Sequence, residues 1–153
     1  MKVTTMALLL VACLAGTTVV AQDPQIGAWK LNEAKSKVNP AATKNHTVTY
    51  EAAGDNVKVT VEGTTADGKA FKSVWTGKYD GKDYPVTGDP QSDSRSYTKA
   101  GDRTLTFSGK MAGKVTVSGK IVVAADGKSR TVTSASTDAK GQKISMTAVY
   151  DKQ

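Results

Sequence analysis

Paired turn residues punctuate the chain at short intervals: Gly54-Asp55-Asn56, Asp67-Gly68, Asp80-Gly81, Gly101-Asp102, Ala112-Gly113, Asp126-Gly127 and Lys140-Gly141. Glycine supplies the positive φ that a tight reversal needs, and Asp and Asn tolerate it. Each pair flanked by alternating residues therefore marks a hairpin. The segments between them, 26–31, 44–52, 57–63, 70–79, 94–99, 103–111, 114–124, 129–136 and 142–151, read as nine strands, or ten if 82–84 pairs. No helical period survives for three turns, and the best helical candidate is one turn over 32–37 with Asn32 as its N-cap. After position 21 the only leucines are Leu31 and Leu105, whereas valine and threonine abound, which suits strands and not a helical core.

Side-chain parity sorts these strands into two faces. Val57, Val59 and Val61 alternate with Lys58, Thr60 and Glu62, and Phe71, Ser73, Trp75, Gly77 and Tyr79 alternate with Lys72, Val74, Thr76 and Lys78. The same alternation puts Leu105, Phe107, Gly109 and Met111, then Val115, Val117, Gly119, Ile121 and Val123, then Ile144, Met146, Ala148 and Tyr150, on the dry face. A meander of so many one-sided strands must close or stack. With hairpins nearly throughout, the expected fold is all-β, an up-and-down antiparallel β-barrel of about eight to ten strands. A length of 153 residues allows one such domain.

The first segment carries Lys2, an apolar run around 6–15 and no acidic residue before Asp23. That pattern predicts a signal peptide over residues 1–21, with cleavage after Val19-Val20-Ala21, and a single barrel domain over 22–153, secreted or periplasmic. The alternative is a lipoprotein anchored at Cys13, because Leu10-Val11-Ala12-Cys13 has the form of a lipobox. The apolar run falls short of the roughly 20 residues that span a bilayer, so no transmembrane segment is expected. Cys13 is the sole cysteine, and a domain that starts at Gln22 must hold together without disulfides.

Gly27-Ala28-Trp29 resembles the Gly-x-Trp signature of lipocalins and their calycin relatives. The wider segment from Asp23 through Asn32, with Ala34-Lys35-Ser36-Lys37 after it, and the segment Tyr79-Asp80-Gly81-Lys82-Asp83-Tyr84-Pro85-Val86-Thr87-Gly88-Asp89-Pro90 are similar to small secreted bacterial lipocalin-like proteins, a functionally uncharacterised group. The resemblance implies a calycin barrel. It also implies a structural lock, Arg130 on a late strand lying across the indole of Trp29. The chain departs from lipocalins in showing no C-terminal helix and no cysteine after the leader. Fatty-acid-binding-like and avidin-like barrels stay open as alternatives.

Parity directs Arg95, Arg103 and Arg130 inward while most strand lysines point outward. A guanidinium tolerates burial because its fork satisfies carboxylates or carbonyls, so these arginines sit at strand ends, plug the barrel or pair with Asp93 or Asp102, or else Arg95 holds an acidic head group. The candidate ligand-binding set is Arg95 and Tyr97 with the inward aromatics Trp75, Tyr79, Tyr50 and Phe107. Small inward residues, Ser73, Gly77, Gly109, Gly119, Ser134 and Ala148, suggest an under-filled interior. His46 shares parity with Val48 and Tyr50 but has no second His to join it, so neither a metal site nor an acid/base pair is expected. Asp80, Asp83, Asp89 and Asp93 read as turn-forming residues.

A net charge of +7, spread over nearly every strand and interleaved with acids, does not form the concentrated basic and aromatic surface of a nucleic-acid binder. The sequence thus points to a non-enzymatic binding protein for a small apolar or amphipathic ligand held inside the barrel, with no cofactor. The alternative is a structural or interaction module of the cell envelope with a filled barrel.

Overall fold

The computed structural model describes residues 22–40, 42–137 and 140–153. The expected leader, its cleavage point after Ala21 and Cys13 lie outside the described residues. The remainder forms ten strands: β1 (Gly27–Leu31), β2 (Lys44–Ala53), β3 (Asn56–Thr64), β4 (Ala70–Gly77), β5 (Tyr84–Thr87), β6 (Ser94–Gly101), β7 (Thr104–Met111), β8 (Lys114–Val123), β9 (Ser129–Thr137) and β10 (Lys143–Lys152). Every sequential pair is antiparallel, and β1 pairs with β10 through Trp29↔Lys152 and Leu31↔Tyr150, so the sheet closes as an up-and-down barrel with no free edge. One 3-10 turn, Glu33–Lys35, follows β1, and its N-cap Asn32 accepts from the Lys35 backbone N–H.

The additional strand expected at 82–84 is β5, which begins at Tyr84 and not at 82. Asp80 Oδ1 accepts the Lys82 N–H at 3.1 Å, and this Asx turn delays pairing until the chain has reversed. The core gathers Trp29, Tyr50, Tyr150, Val59, Val61, Leu105, Ile121, Trp75 and Tyr97 inside the barrel.

Parity fails in three places, two of them at bulges. Between Asn45 and Thr47 the register of β2 against β3 shifts, so β2 spends one extra residue, His46. Asn45 thereby faces the interior, opposite Gly63. His46 lies instead on an outer groove with Thr47, Glu62 and Phe71, its Nε2 3.0 Å from Thr64 Oγ1. Between Gly109 and Lys110 a second shift leaves the β7–β8 hairpin end outside the core, and Met111 and Val115 are exposed there against expectation. Arg103, expected inward, is exposed because it sits in the tight β6–β7 turn before pairing resumes at Thr104.

The inward glycines do not leave empty space. A Cβ on Gly77 would lie 2.6 Å from the Tyr84 ring and 2.7 Å from Trp75, and one on Gly119 would lie 2.9 Å from Phe107. Aromatic rings cover Gly77 and Gly119, and Ser92 and Val117 cover Gly109, so most of the expected vacancy is filled by side chains from adjoining positions.

Candidate functional site

Trp29, Arg130 and Lys152 meet at one end of the barrel, where β9 begins and β10 ends. Arg130 is 2% exposed, and its guanidinium carbon lies 4.9 Å from the Trp29 ring centroid, 4.8 Å from that of Tyr50 and 5.1 Å from that of Tyr150. Lys152 Nζ stands 5.1 Å from the Trp29 ring. The indole N–H of Trp29 donates to the Gln25 carbonyl at 2.8 Å, so the segment before β1 folds under the ring and seals this end. Three ring faces around one desolvated cation are strongly attractive, at about 2 kcal/mol for a good pair. Aromatic faces offer only weak N–H···π contacts, however, and Arg130 Nε and Nη1 are buried with no hydrogen-bond partner. The donation from Arg130 to backbone carbonyls that a structural lock would add is not seen for these two nitrogens.

Toward the opposite rim Arg95, on β6, is paired. Its Nη2 donates to Asp89 Oδ2 at 2.8 Å, and both side chains are largely buried. The partner is Asp89, in the β5–β6 connection, and not Asp93 or Asp102. Asp89 Oδ1 also accepts the Gln91 N–H at 2.8 Å, so one carboxylate both shapes the loop and neutralises Arg95. Asp93 serves the rim, accepting from the Ala112 N–H at 2.7 Å. Burial works against the Arg95 charge, but Tyr97 and Asp89 more than offset it and the guanidinium pKa is raised. Arg95 Nε is buried and unpartnered.

Between the two arginines lies a cavity of about 50 Å³, lined by Arg95, Arg130, Tyr50, Tyr97, Phe107, Tyr150, Asn45 and the aliphatic Val48, Val61, Ile121 and Val132. Of the expected ligand set, Arg95, Tyr97, Tyr50 and Phe107 line it. Trp75 and Tyr79 do not. Trp75 packs edge-on against Tyr97 at 4.7 Å and Tyr84 at 5.8 Å and donates its indole N–H to the Arg95 carbonyl at 2.9 Å, so it positions β6. Tyr79 lines a separate cavity of about 110 Å³ with Asp23, Gln25 and Leu105. A smaller cavity of about 20 Å³ toward the rim shares Asn45, Val61 and Arg95 with the central one, so the Asp89–Arg95 pair stands between the interior and the rim.

Sequence reasoning missed Asn45, hidden by the bulge, and Asp89, read as a turn residue only. Tyr150 had inward parity but no assigned role; its hydroxyl donates to the Asn45 carbonyl at 3.1 Å.

Burial pushes the Tyr150 phenol up to about 12, with Arg130 pulling the other way. Tyr50 is raised further, by burial and then by Tyr97, again opposed by Arg130, and Tyr79 is raised by burial, Tyr50 and Asp23. All three hydroxyls are neutral donors at physiological pH. Unfolded tyrosine ionises near 10, while these hold their protons when folded. Their contribution to stability is full below about pH 10 and is lost as pH rises toward 12. A spectrophotometric titration at 295 nm is expected to show fewer than the chain's five tyrosines ionising before the barrel unfolds. Five reversible, ordinary titrations in the folded protein would contradict the burial of these three.

Among the described residues no group of three or more His, Cys, Asp or Glu side chains could hold a metal ion, and no helix is long and apolar enough to cross a membrane. No protein-family model and no curated protein matches the chain. Solved structures with a similar barrel include the redesigned β-barrel mFAP1 bound to DFHBI, 15% identical, covering 84% of this chain and 95% of that one with a TM-score of 0.47. They also include lobster apocrustacyanin A1, 14% identical, covering 87% of this chain and 63% of that one with a TM-score of 0.43. Apocrustacyanin C2 is similar at 13% identity, 89% and 64% coverage and a TM-score of 0.43.

Proposed function

We propose that the chain is an exported binding protein whose barrel takes a small acidic, amphipathic ligand into the cavity between Arg95 and Arg130. One observation carries this reading. The cavity is lined both by two guanidiniums and three tyrosines and by the aliphatic Val48, Ile121 and Val132, so polar anchors and apolar wall share one small space. Its volume of about 50 Å³ sets the size. One water needs about 10 to 15 Å³, so the cavity suits about three to five heavy atoms and not an acyl chain.

Calorimetric titration with propionate tests the reading. Saturable binding at one site is expected, at least about tenfold tighter than for the neutral propionamide, because charge-assisted hydrogen bonds contribute about 1.5 to 3 kcal/mol. A fluorescent long-chain fatty-acid analogue is expected to bind more weakly than propionate. Absence of propionate binding would favour the second reading, a structural or interaction module with a filled barrel, which the ring packing over Gly77 and Gly119 supports. Export is checked by intact mass. The processed chain is expected to begin at Gln22, and diacylglycerol on Cys13 would overturn that.

A further inference from the structure

The barrel interior holds an imbalance of charge and of hydrogen bonds that coincides at one place. Arg95 and Arg130 both line the central cavity, and the one carboxylate paired with either, Asp89, is engaged by Arg95 Nη2. Arg130 has three rings around it and, among the described residues, no carboxylate paired with it. Among the described residues, three of the buried polar atoms without a hydrogen-bond partner belong to these two arginines, Arg130 Nε, Arg130 Nη1 and Arg95 Nε, and the others lie on Gln25, Tyr79 and Ser92. An unsatisfied buried donor costs about 1 to 3 kcal/mol, more when it is charged, so three of them on the two arginines that line one cavity demand an explanation.

We infer that this cavity is a receptor for one inorganic monoanion of a few atoms, such as chloride or nitrate, held mainly by the Arg130 fork with Arg95 Nε and the Tyr50 hydroxyl completing its shell. The inference rests on the acidic-ligand reading above and deepens it. It assigns the anchor to Arg130, which has donors free, and not to Arg95, whose charge Asp89 already balances. It also holds that the anionic head alone is sufficient for binding, without an apolar part. A single negative charge there neutralises the uncompensated guanidinium and accepts N–H groups that ring faces satisfy only weakly. A dianion is disfavoured, because one excess positive charge balances one negative charge, and the cavity size excludes large anions.

The test uses the full-length gene product, purified with gluconate as the sole counter-anion, since gluconate is too large for the cavity. Nitrate, chloride, propionate and the neutral acetamide are titrated at constant ionic strength, with calorimetry and the melting temperature as readouts. Nitrate and chloride are expected to bind at one saturable site and to raise the melting temperature, as any ligand of the folded state does, and acetamide is not. Arg130→Gln is expected to weaken nitrate about 10- to 100-fold, the loss of charge-assisted hydrogen bonds. Arg103→Gln, the same charge change on an exposed arginine, is expected to leave it unchanged. If Arg130→Gln does not fold, Tyr50→Phe provides the readout and is expected to weaken nitrate at least threefold. Propionate binding without nitrate or chloride binding would overturn this inference and leave the acidic-ligand reading standing. Failure of all three anions would overturn both. Equal nitrate binding by wild type and Arg130→Gln, or by wild type and Tyr50→Phe where that variant stands in, would assign the anion to surface lysines and overturn the inference.

Discussion

Trp29→Ala is expected to destabilise the barrel by about 3 to 5 kcal/mol, the range for removing a large buried aromatic side chain. Trp29 has no exposed surface, and it links the segment beneath the barrel, through Gln25, to Arg130 and Lys152 on the strands that close the sheet. Part of the loss belongs to the stacked guanidinium. Arg130→Met removes that charge at similar length, and a double-mutant cycle in urea is expected to give a Trp29–Arg130 coupling of about 2 kcal/mol. Coupling below about 0.5 kcal/mol would mean that the two side chains stabilise the barrel independently and that their proximity is incidental.

Asp89→Ala is expected to cost about 3 kcal/mol or more, because it leaves Arg95 buried without a counter-charge. The pair is well shielded from water, with side-chain exposures of 14% for Arg95 and 8% for Asp89, so little of this is screened. Two further variants separate the charge from the loop turn. Asp89→Asn keeps an acceptor for the Gln91 N–H and removes the charge, and it is expected to lose most of what Asp89→Ala loses. Asp89→Ala combined with Arg95→Met is expected to recover much of the stability, since the orphaned charge is gone. Chemical denaturation of the three variants checks this. A loss below about 1 kcal/mol for Asp89→Ala would contradict the view that the pair is a buried one.

The barrel was legible from turn spacing and parity because both follow from backbone geometry that the residues themselves impose. Hairpin dipeptides and alternating valines located nine strands and sorted Trp29, Tyr50, Trp75, Tyr97 and Tyr150 to the dry side. What could not be read were the features that depend on a neighbouring strand. The extra residue at His46 is visible only against β3, and it exchanges the roles of Asn45 and His46. Glycine at 77 and 119 looked like lost volume, and only the closed sheet brings the rings of Tyr84 and Phe107 over these positions. The site was half legible for the same reason. Parity could place Arg95 and Arg130 inside, but a carboxylate six residues away in a turn segment was not recognisable as the partner of Arg95 until the β5–β6 connection had folded over the rim. Arg103 shows the converse, a residue on inward parity that a tight turn lifts into solvent.

The chain contains three arginines, Arg95, Arg103 and Arg130, and this makes the central claim directly measurable. In a proton–nitrogen correlation spectrum of the labelled protein, each arginine Nε–H gives one signal, assignable by Arg103→Gln and Arg95→Gln. On addition of propionate, the Nε signals of Arg130 and Arg95 are expected to shift together along one saturable curve while that of Arg103 stays fixed. Signals of Arg130 and Arg95 that remain in place, or an Arg103 signal that moves as far as theirs, would contradict an acidic ligand bound inside the barrel.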